Sequence, residues 1–151
     1  MRLLHTIFFM FIGSFIVQYL IMSAIMTNNI SNITFSLGKA YLSTIMGLLM
    51  VLIEIAMHDM QYSSFNLQYY SIFGGLLLLF IYFYRTQYAI KDQQYLEEMI
   101  EHHSMALLTS DQILKKTDSY NVSKLAKNII QTQKDEIMEM QSLLKNNYKS
   151  G

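Results

Sequence analysis

The sequence predicts an all-α membrane protein in which three transmembrane helices precede a water-soluble helical hairpin. Three long apolar runs predict the spans, and an amphipathic C-terminal segment rich in helix-forming residues predicts the hairpin. The chain has 151 residues, of which 52% are hydrophobic and 15% are charged, and it contains no proline that would break a helix. We therefore divide it into a membrane region at 1–90 and a hairpin domain at 91–148.

The three apolar runs lie at 3–26, 37–57 and 65–84. Each has roughly 20 residues or more, which is enough to cross about 30 Å of hydrocarbon at about 1.5 Å per residue. A helix buried in a soluble core is usually shorter and carries a polar stripe. The first run is longer than the apolar core of a signal peptide and lacks a small-residue cleavage pattern. We interpret all three runs as retained spans in a lipid bilayer.

Polar segments at 27–36 and 58–68 separate the apolar runs, and we interpret both as connecting turns. No helix breaker follows Arg85 at the end of the third run. This span is therefore free to continue directly into the amphipathic helix predicted at 92–114, so that one rod stands out of the membrane.

The hairpin turn is predicted at 115–121, where KKTDSYN combines several turn-forming and cap-forming residues. Asn121 is the predicted N-cap of a last helix at 122–146. Two antiparallel helices joined by this turn present mostly apolar stripes to each other. The stripes consist of Asp92, Tyr95, Met99, His102, His103, Ala106 and Ser110 on the first helix, and of Val122, Ala126, Ile129, Ile130, Gln133, Glu136, Ile137, Met140 and Leu144 on the second.

Polar groups interrupt the two stripes at a single level. A turn centred near Asp118 sets which residues lie opposite each other. The pairs predicted to face each other are His103 with Gln133, His102 with Glu136 or Lys134, and Met99 with Ile137, while Met140 lies about one turn beyond Met99.

This polar level supplies the donor atoms for a metal site. A polar group on a buried stripe costs free energy unless it is paired, either with another protein group or with an ion. Thioether with imidazole suits copper, particularly Cu(I), whereas imidazole with carboxylate suits zinc or iron equally well. The Glu-x-x-His motif of di-iron bundles does not occur here. The candidate ligands are His102, His103, Met99, Met140 and Glu136.

The two helices carry a recognisable pair of motifs. MIEHHSMALLTSD at 99–111 and LAKNIIQTQKDEIMEM at 125–140 resemble the family of domains of unknown function numbered 305. That resemblance implies a ferritin-like half-bundle and copper binding in a bacterial periplasm or envelope. The matching residues are Met99, Ile100, His102, His103 and Ala106 in the first motif, Ile129, Ile130, Gln133, Glu136, Ile137 and Met140 in the second, and Asp92 at the start of the first helix.

The resemblance assigns supporting residues around the candidate ligands. Gln133, Asp92 and Met105 are expected beside them, as hydrogen-bonding partners or as a replacement thioether. Family members often have proline or a small residue where this chain has Glu101. Met105 points about 120° away from the line through Met99 and His102, which weighs against its being a ligand.

The second span carries a further stripe of donor atoms. Met46, Met50, Glu54 and Met57 recur at helical spacing on one face. A carboxylate at membrane depth marks a candidate functional site, and thioethers beside it suggest a path for a soft metal ion. The alternative is that the methionines fill helix contacts and that Glu54 reaches the interface from near the end of its span.

Three spans place the two chain termini on opposite sides of the membrane. The positive residues near the spans, Arg2 against Lys39, Arg85 and Lys91, favour a cytoplasmic hairpin. The membrane-attached subgroup of the family that this chain resembles places the hairpin outside the cytoplasm. We adopt the second orientation as the expectation.

These features predict an integral membrane protein whose hairpin binds copper or a similar metal ion for buffering, sequestration or transfer. A second copy, paired through the hairpin, would complete a four-helix bundle. The alternative is a structural or interaction protein whose histidines pair with Glu136 and Gln133 and whose hairpin self-associates or docks a partner. The chain has no cysteine, no long basic run and no phosphate loop. These features argue against an enzyme and against a nucleic-acid-binding protein.

Overall fold

The computed structural model describes residues 3–148, and over that range the chain is helical with no β-strand. The predicted all-α class, with three long apolar helices followed by further helices, is confirmed. Each of the first three helices is long and apolar enough to cross a membrane. The helices are α1 (Leu3–Met26, with a π-helical segment at Val17–Ile21), α2 (Leu37–Tyr62), α3 (Leu67–Arg85), α4 (Asp92–Leu114) and α5 (Tyr120–Tyr148), with a 3₁₀ turn at Ile30–Asn32.

The described residues form two compact units. The first, here called the membrane unit, combines 3–22 with Leu37–Ala89. The second, the hairpin unit, combines Ser23–Ser36 with 90–148. The segment between the first two spans, which the sequence presents as a connecting turn, therefore belongs to the same unit as the hairpin.

In the membrane unit, α2 packs between α1 and α3. Ile7, Val51 and Ile55 form its buried centre, and aromatic side chains such as Phe11 and Phe73 pack around them. Gly47 allows the close approach of α1, because a Cβ there would lie 2.8 Å from the Phe11 ring. Most of the remaining apolar surface is exposed, as expected of helices that face lipid.

Asp59 organises the turn between α2 and α3. Its buried carboxylate accepts hydrogen bonds from the Asn66 backbone amide at 2.8 Å, from the Ser64 hydroxyl at 3.0 Å and from the Asn66 side chain. These bonds fix residues 63–66, where Ser63 adopts the left-handed conformation with φ 48°. One side chain thus sets where the third helix begins.

The third span does not continue into α4, and the predicted continuous rod is wrong. α3 ends in a Schellman motif, in which Tyr88 N–H bonds to Phe83 O at 2.9 Å and Gln87 N–H bonds to Tyr84 O at 3.3 Å. Gln87 takes the left-handed position with φ 52°. The Tyr88 ring stacks on Phe83 at 4.8 Å, and the Tyr41 hydroxyl donates to Tyr88 O. These contacts end the helix without the glycine that usually marks such a cap.

In the hairpin unit, α4 and α5 pack along a core of Ile100, Leu107, Ile137 and Leu144. The bounds of α4 coincide with the predicted 92–114. The last helix begins earlier than predicted, at Tyr120, and its cap is Ser119 rather than Asn121. The Ser119 hydroxyl accepts from Val122 N–H at 3.4 Å, and its carbonyl accepts from Ser123 N–H at 2.9 Å.

The segment 23–36 lies against α4 and is held there by the buried carboxylate of Glu101. Glu101 accepts hydrogen bonds from the Ser23 hydroxyl at 2.6 Å and from the Thr34 backbone amide at 2.9 Å. The Thr34 hydroxyl also donates to Glu97 O at 2.7 Å. Because Glu101 is only 4% exposed, these donors replace the water that a charged carboxylate would otherwise need.

Ser104, one turn after Glu101, holds the middle of the same segment. Its hydroxyl accepts from Asn28 N–H at 3.1 Å and from the Asn32 amide at 3.3 Å. The Asn32 carbonyl oxygen in turn accepts from the Gln141 side chain at 3.2 Å, which links the segment to α5 as well. The segment is therefore hydrogen-bonded to both hairpin helices.

We predict that Glu101→Ala destabilises the hairpin unit by about 1–3 kcal/mol, because the Thr34 amide and the Ser23 hydroxyl lose a buried acceptor. Thermal unfolding of the full chain in mild detergent, followed by circular dichroism, measures this. Glu139→Ala, which removes an exposed carboxylate from α5, is the matched control. Equal unfolding temperatures for the two variants contradict the assignment.

Candidate functional site

Both ring nitrogens of His103 make short polar contacts within the hairpin. Its Nδ1 lies 2.8 Å from the backbone oxygen of Met99, one turn earlier on α4. Its Nε2 lies 2.8 Å from Oε2 of Glu136 on α5. A carbonyl oxygen can only accept, so Nδ1 carries a proton, and Nε2 either donates to the carboxylate or presents its lone pair. This is the arrangement in which histidine ligates metals, with the second ring nitrogen bonded to a backbone carbonyl.

Glu136 closes the pair from the other helix. Its side chain is 45% exposed, whereas that of His103 is 19% exposed, so the pair lies at the edge of the hairpin and opens to solvent on the side of Glu136. Gln133 donates to the same carboxylate oxygen at 3.3 Å. Around a tetrahedral ion, two bonds of about 2.0 Å place their donor atoms about 3.3 Å apart, so an ion between His103 and Glu136 requires the pair to open by about 0.5 Å.

The structure brings His103, rather than His102, to Glu136. His102 is exposed on the outside of α4. The difference has a geometric cause. Side chains on a helix lean toward its N-terminus. In an antiparallel pair, a side chain therefore meets a partner that is attached about one turn later in the sequence than the residue whose backbone lies opposite. Backbone pairing predicted His103 opposite Gln133, and the side chain instead contacts Glu136, one turn later.

The other predicted residues occupy different positions along the hairpin. Met99 contributes its backbone carbonyl to His103, and its half-buried side chain lies on the same helix face. Met140 packs against the apolar core of the hairpin. Met105 is half-buried, and Asp92 lies in the first turn of α4, where a carboxylate favours the helix dipole.

A single chain supplies an incomplete ligand set. Between Leu3 and Tyr148, no three His, Asp or Glu side chains converge on one point. His103 and Glu136 therefore provide two donors, and a metal ion in this position needs further donors from thioethers, from His102 or from another copy.

The stripe predicted on the second span is not enclosed. Met46 and Met57 are exposed, and Met50 and Glu54 are half-buried. The buried face of α2, which includes Val51 and Ile55, turns in other directions.

Glu98 and Glu101 are features of the hairpin that the motif analysis does not identify as functional. One carboxylate oxygen of Glu98 is buried and lacks a hydrogen-bond partner between residues 3 and 148. Burial, together with the nearby charge of Glu101, raises the pKa of Glu98 above its ordinary value of 4.5. The signal in the sequence was weak: two acidic residues three apart on a helix usually lie in solvent.

The fold and the site together define a class, that of helical proteins with three candidate membrane spans and a C-terminal hairpin containing an interhelical His–Glu pair. Residues 92–151 match the model of the domain of unknown function DUF305, which confirms that part of the resemblance seen in the sequence. The chain is 34% identical over 139 residues to Uncharacterized protein L153 of Acanthamoeba polyphaga mimivirus, covering 91% of this chain and 90% of that protein. It therefore belongs to the same family as this viral protein and carries a DUF305 domain. No solved structure matches the chain.

The raised pKa of Glu98 predicts a pH-dependent stability. The folded state holds the Glu98 proton to higher pH than the unfolded chain does. The contribution of Glu98 to the free energy of unfolding is therefore greatest at low pH, and it is lost as the pH rises from 4.5 through the pKa of the folded state. Glu98→Gln removes this loss. The variant should unfold at higher temperature than the natural chain at pH 7, with the difference disappearing near pH 4.

Melting curves recorded between pH 4 and pH 7 measure this effect, and Glu139→Gln on the exposed face of α5 is the control. A shift in unfolding temperature of the same size at every pH would mean that the substitution acts through packing and not through ionisation.

Proposed function

We propose that this protein is a multi-pass membrane protein that displays a hairpin for binding copper or a similar late transition-metal ion, to buffer, sequester or hand on that ion. The observation that carries the proposal is the 2.8 Å separation of His103 Nε2 and Glu136 Oε2, with Nδ1 engaged by the Met99 carbonyl. The ring is oriented, its second nitrogen faces an anionic donor, and the pair is reached from solvent. Zinc and iron are compatible with the same two donors.

The incomplete ligand set favours a pair of hairpins as the binding form. On α4, His102 is exposed beside His103, and the Met99 side chain is half-buried one turn earlier. A second hairpin packed on this side would complete a four-helix bundle and bring its own imidazoles and thioethers to the ion. Thioether and imidazole together favour copper in its reduced state.

We predict that His103→Ala weakens copper binding by at least about tenfold, because it removes the only oriented imidazole of the pair. The full chain, purified in mild detergent, is titrated with Cu(I) against a chromogenic chelator. Glu136→Gln should weaken binding as well, since it replaces an anionic donor by a neutral one. His5→Ala, which removes an exposed histidine from α1, is the control. Unchanged affinity in His103→Ala refutes the proposal.

We also propose that the hairpin lies on the extracytoplasmic side, the orientation expected of the membrane-attached subgroup. With three spans, the segment 27–36 and the hairpin emerge on the same side, and this agrees with their hydrogen bonds within one unit. The chain has no cysteine, so Ser142→Cys on the exposed face of α5 should react with a membrane-impermeant maleimide in intact cells. Phe65→Cys in the turn between α2 and α3 should be protected, and the reverse pattern contradicts the orientation.

The second candidate function is a hairpin that associates with another protein without a metal ion. It is favoured by two observations: protein groups already satisfy both nitrogens of His103, and large apolar side chains such as Leu125 and Met138 are exposed on α5. Self-association that persists in excess chelator, in a chain whose Cu(I) affinity does not depend on His103, selects this function over the first.

A further inference from the structure

We propose a second metal site in this protein, at the C-terminal end of α2 in the membrane unit, for a soft late transition-metal ion. An open groove of about 590 Å³ lies there. Glu54, Met57, His58 and Met60 line it, together with Gln61 and Thr6. A carboxylate, an imidazole and two thioethers thus meet at one surface, and none of these residues belongs to the hairpin site.

Glu54 has no partner among residues 3–148. It lies within the apolar helix α2, and no hydrogen bond or ion pair joins it to any residue between 3 and 148. An anionic group at this depth is costly unless a cation or donor compensates it. Its position in a groove that also holds an imidazole makes a bound cation the fitting compensation.

His58 follows Glu54 by one helical turn, so their Cβ atoms are about 6 Å apart on one face. Its Nδ1 is buried without a hydrogen bond, 3.5 Å from Oδ1 of Asp59. Asp59 is itself fixed by Ser64 and Asn66, and the Tyr62 ring lies 4.6 Å from the imidazole. This environment directs Nδ1 toward a fixed carboxylate and leaves Nε2 as the ligating nitrogen, as in metal-bound histidines.

The two thioethers decide which ion suits the groove. Met57 follows Glu54 by three residues on the same side of α2, and its flexible side chain, 59% exposed, can turn toward an ion bound between Glu54 and His58, while Met60, 83% exposed, also lines the groove. Magnesium and calcium prefer oxygen ligands, and thioethers select softer ions such as Cu(I). The donor set therefore assigns the groove to that class of ion.

Silver(I), which resembles Cu(I) without its redox chemistry, is the probe for this site. The full chain carrying His103→Ala and Glu136→Gln, which silence the hairpin pair, is purified in mild detergent and titrated with Ag(I) and, separately, with Zn(II). His58→Ala in this background should weaken binding of Ag(I) by about tenfold or more. The pair Met57→Leu and Met60→Leu should weaken Ag(I) to a similar extent and leave Zn(II) affinity unchanged, because leucine keeps the volume and removes only the soft donor.

Met22→Leu is the matched control, since it removes a methionine of α1 that does not line the groove. Circular dichroism verifies that each variant keeps its helicity. Equal Ag(I) affinities for the double methionine variant and for Met22→Leu overturn the second site. The hairpin proposal is tested separately in a chain that carries His58→Ala, Met57→Leu and Met60→Leu, where unchanged Cu(I) affinity after His103→Ala counts against the hairpin alone.

Discussion

The buried carboxylate of Glu101 is the interaction on which the hairpin unit depends. A charge that is 4% exposed requires donors within the protein, and the chain supplies them from Ser23 and Thr34, at the two ends of the segment between the first two spans. The conformation of that segment is thus dictated from α4. Ser104 repeats the arrangement one turn later with Asn28 and Asn32. A segment that reads as a polar linker becomes part of the folded unit for this reason.

The helix α4 carries three different surfaces at successive positions. Ile100 and Leu107 face the core shared with α5, and Glu101 and Ser104 face the segment 23–36. His103, together with the Met99 carbonyl, faces the edge where Glu136 approaches. Because a single rigid helix presents all three surfaces, the orientation of His103 is tied to the packing on both other sides. The placement of the candidate site therefore follows from the fold of the whole unit.

Sequence periodicity predicted the features that depend on local physics. The three candidate spans and the bounds of α4 follow from apolar runs and periodicity. The stripe predicted on α5 contains the core residues Ile137 and Leu144, but the stripe predicted on α4 is wrong, because Ile100 and Leu107 lie outside it and form the core while its members Tyr95 and His102 are exposed. The features that it missed depend on contacts distant along the chain or on side-chain direction. α3 ends because Gln87 adopts the left-handed conformation that glycine usually adopts at this position, and the stacked rings of Phe83 and Tyr88 stabilise it. The contact of His103 with Glu136 rests on the lean of side chains along their helices, which residue numbering does not convey.

The π-helical segment at Val17–Ile21 lies just before Ser23, within α1. A π turn accommodates one additional residue, so everything after it is rotated by about 100° relative to an uninterrupted α-helix. The additional residue therefore decides on which side of α1 the Ser23 hydroxyl emerges, and with it whether that hydroxyl donates to the Glu101 carboxylate.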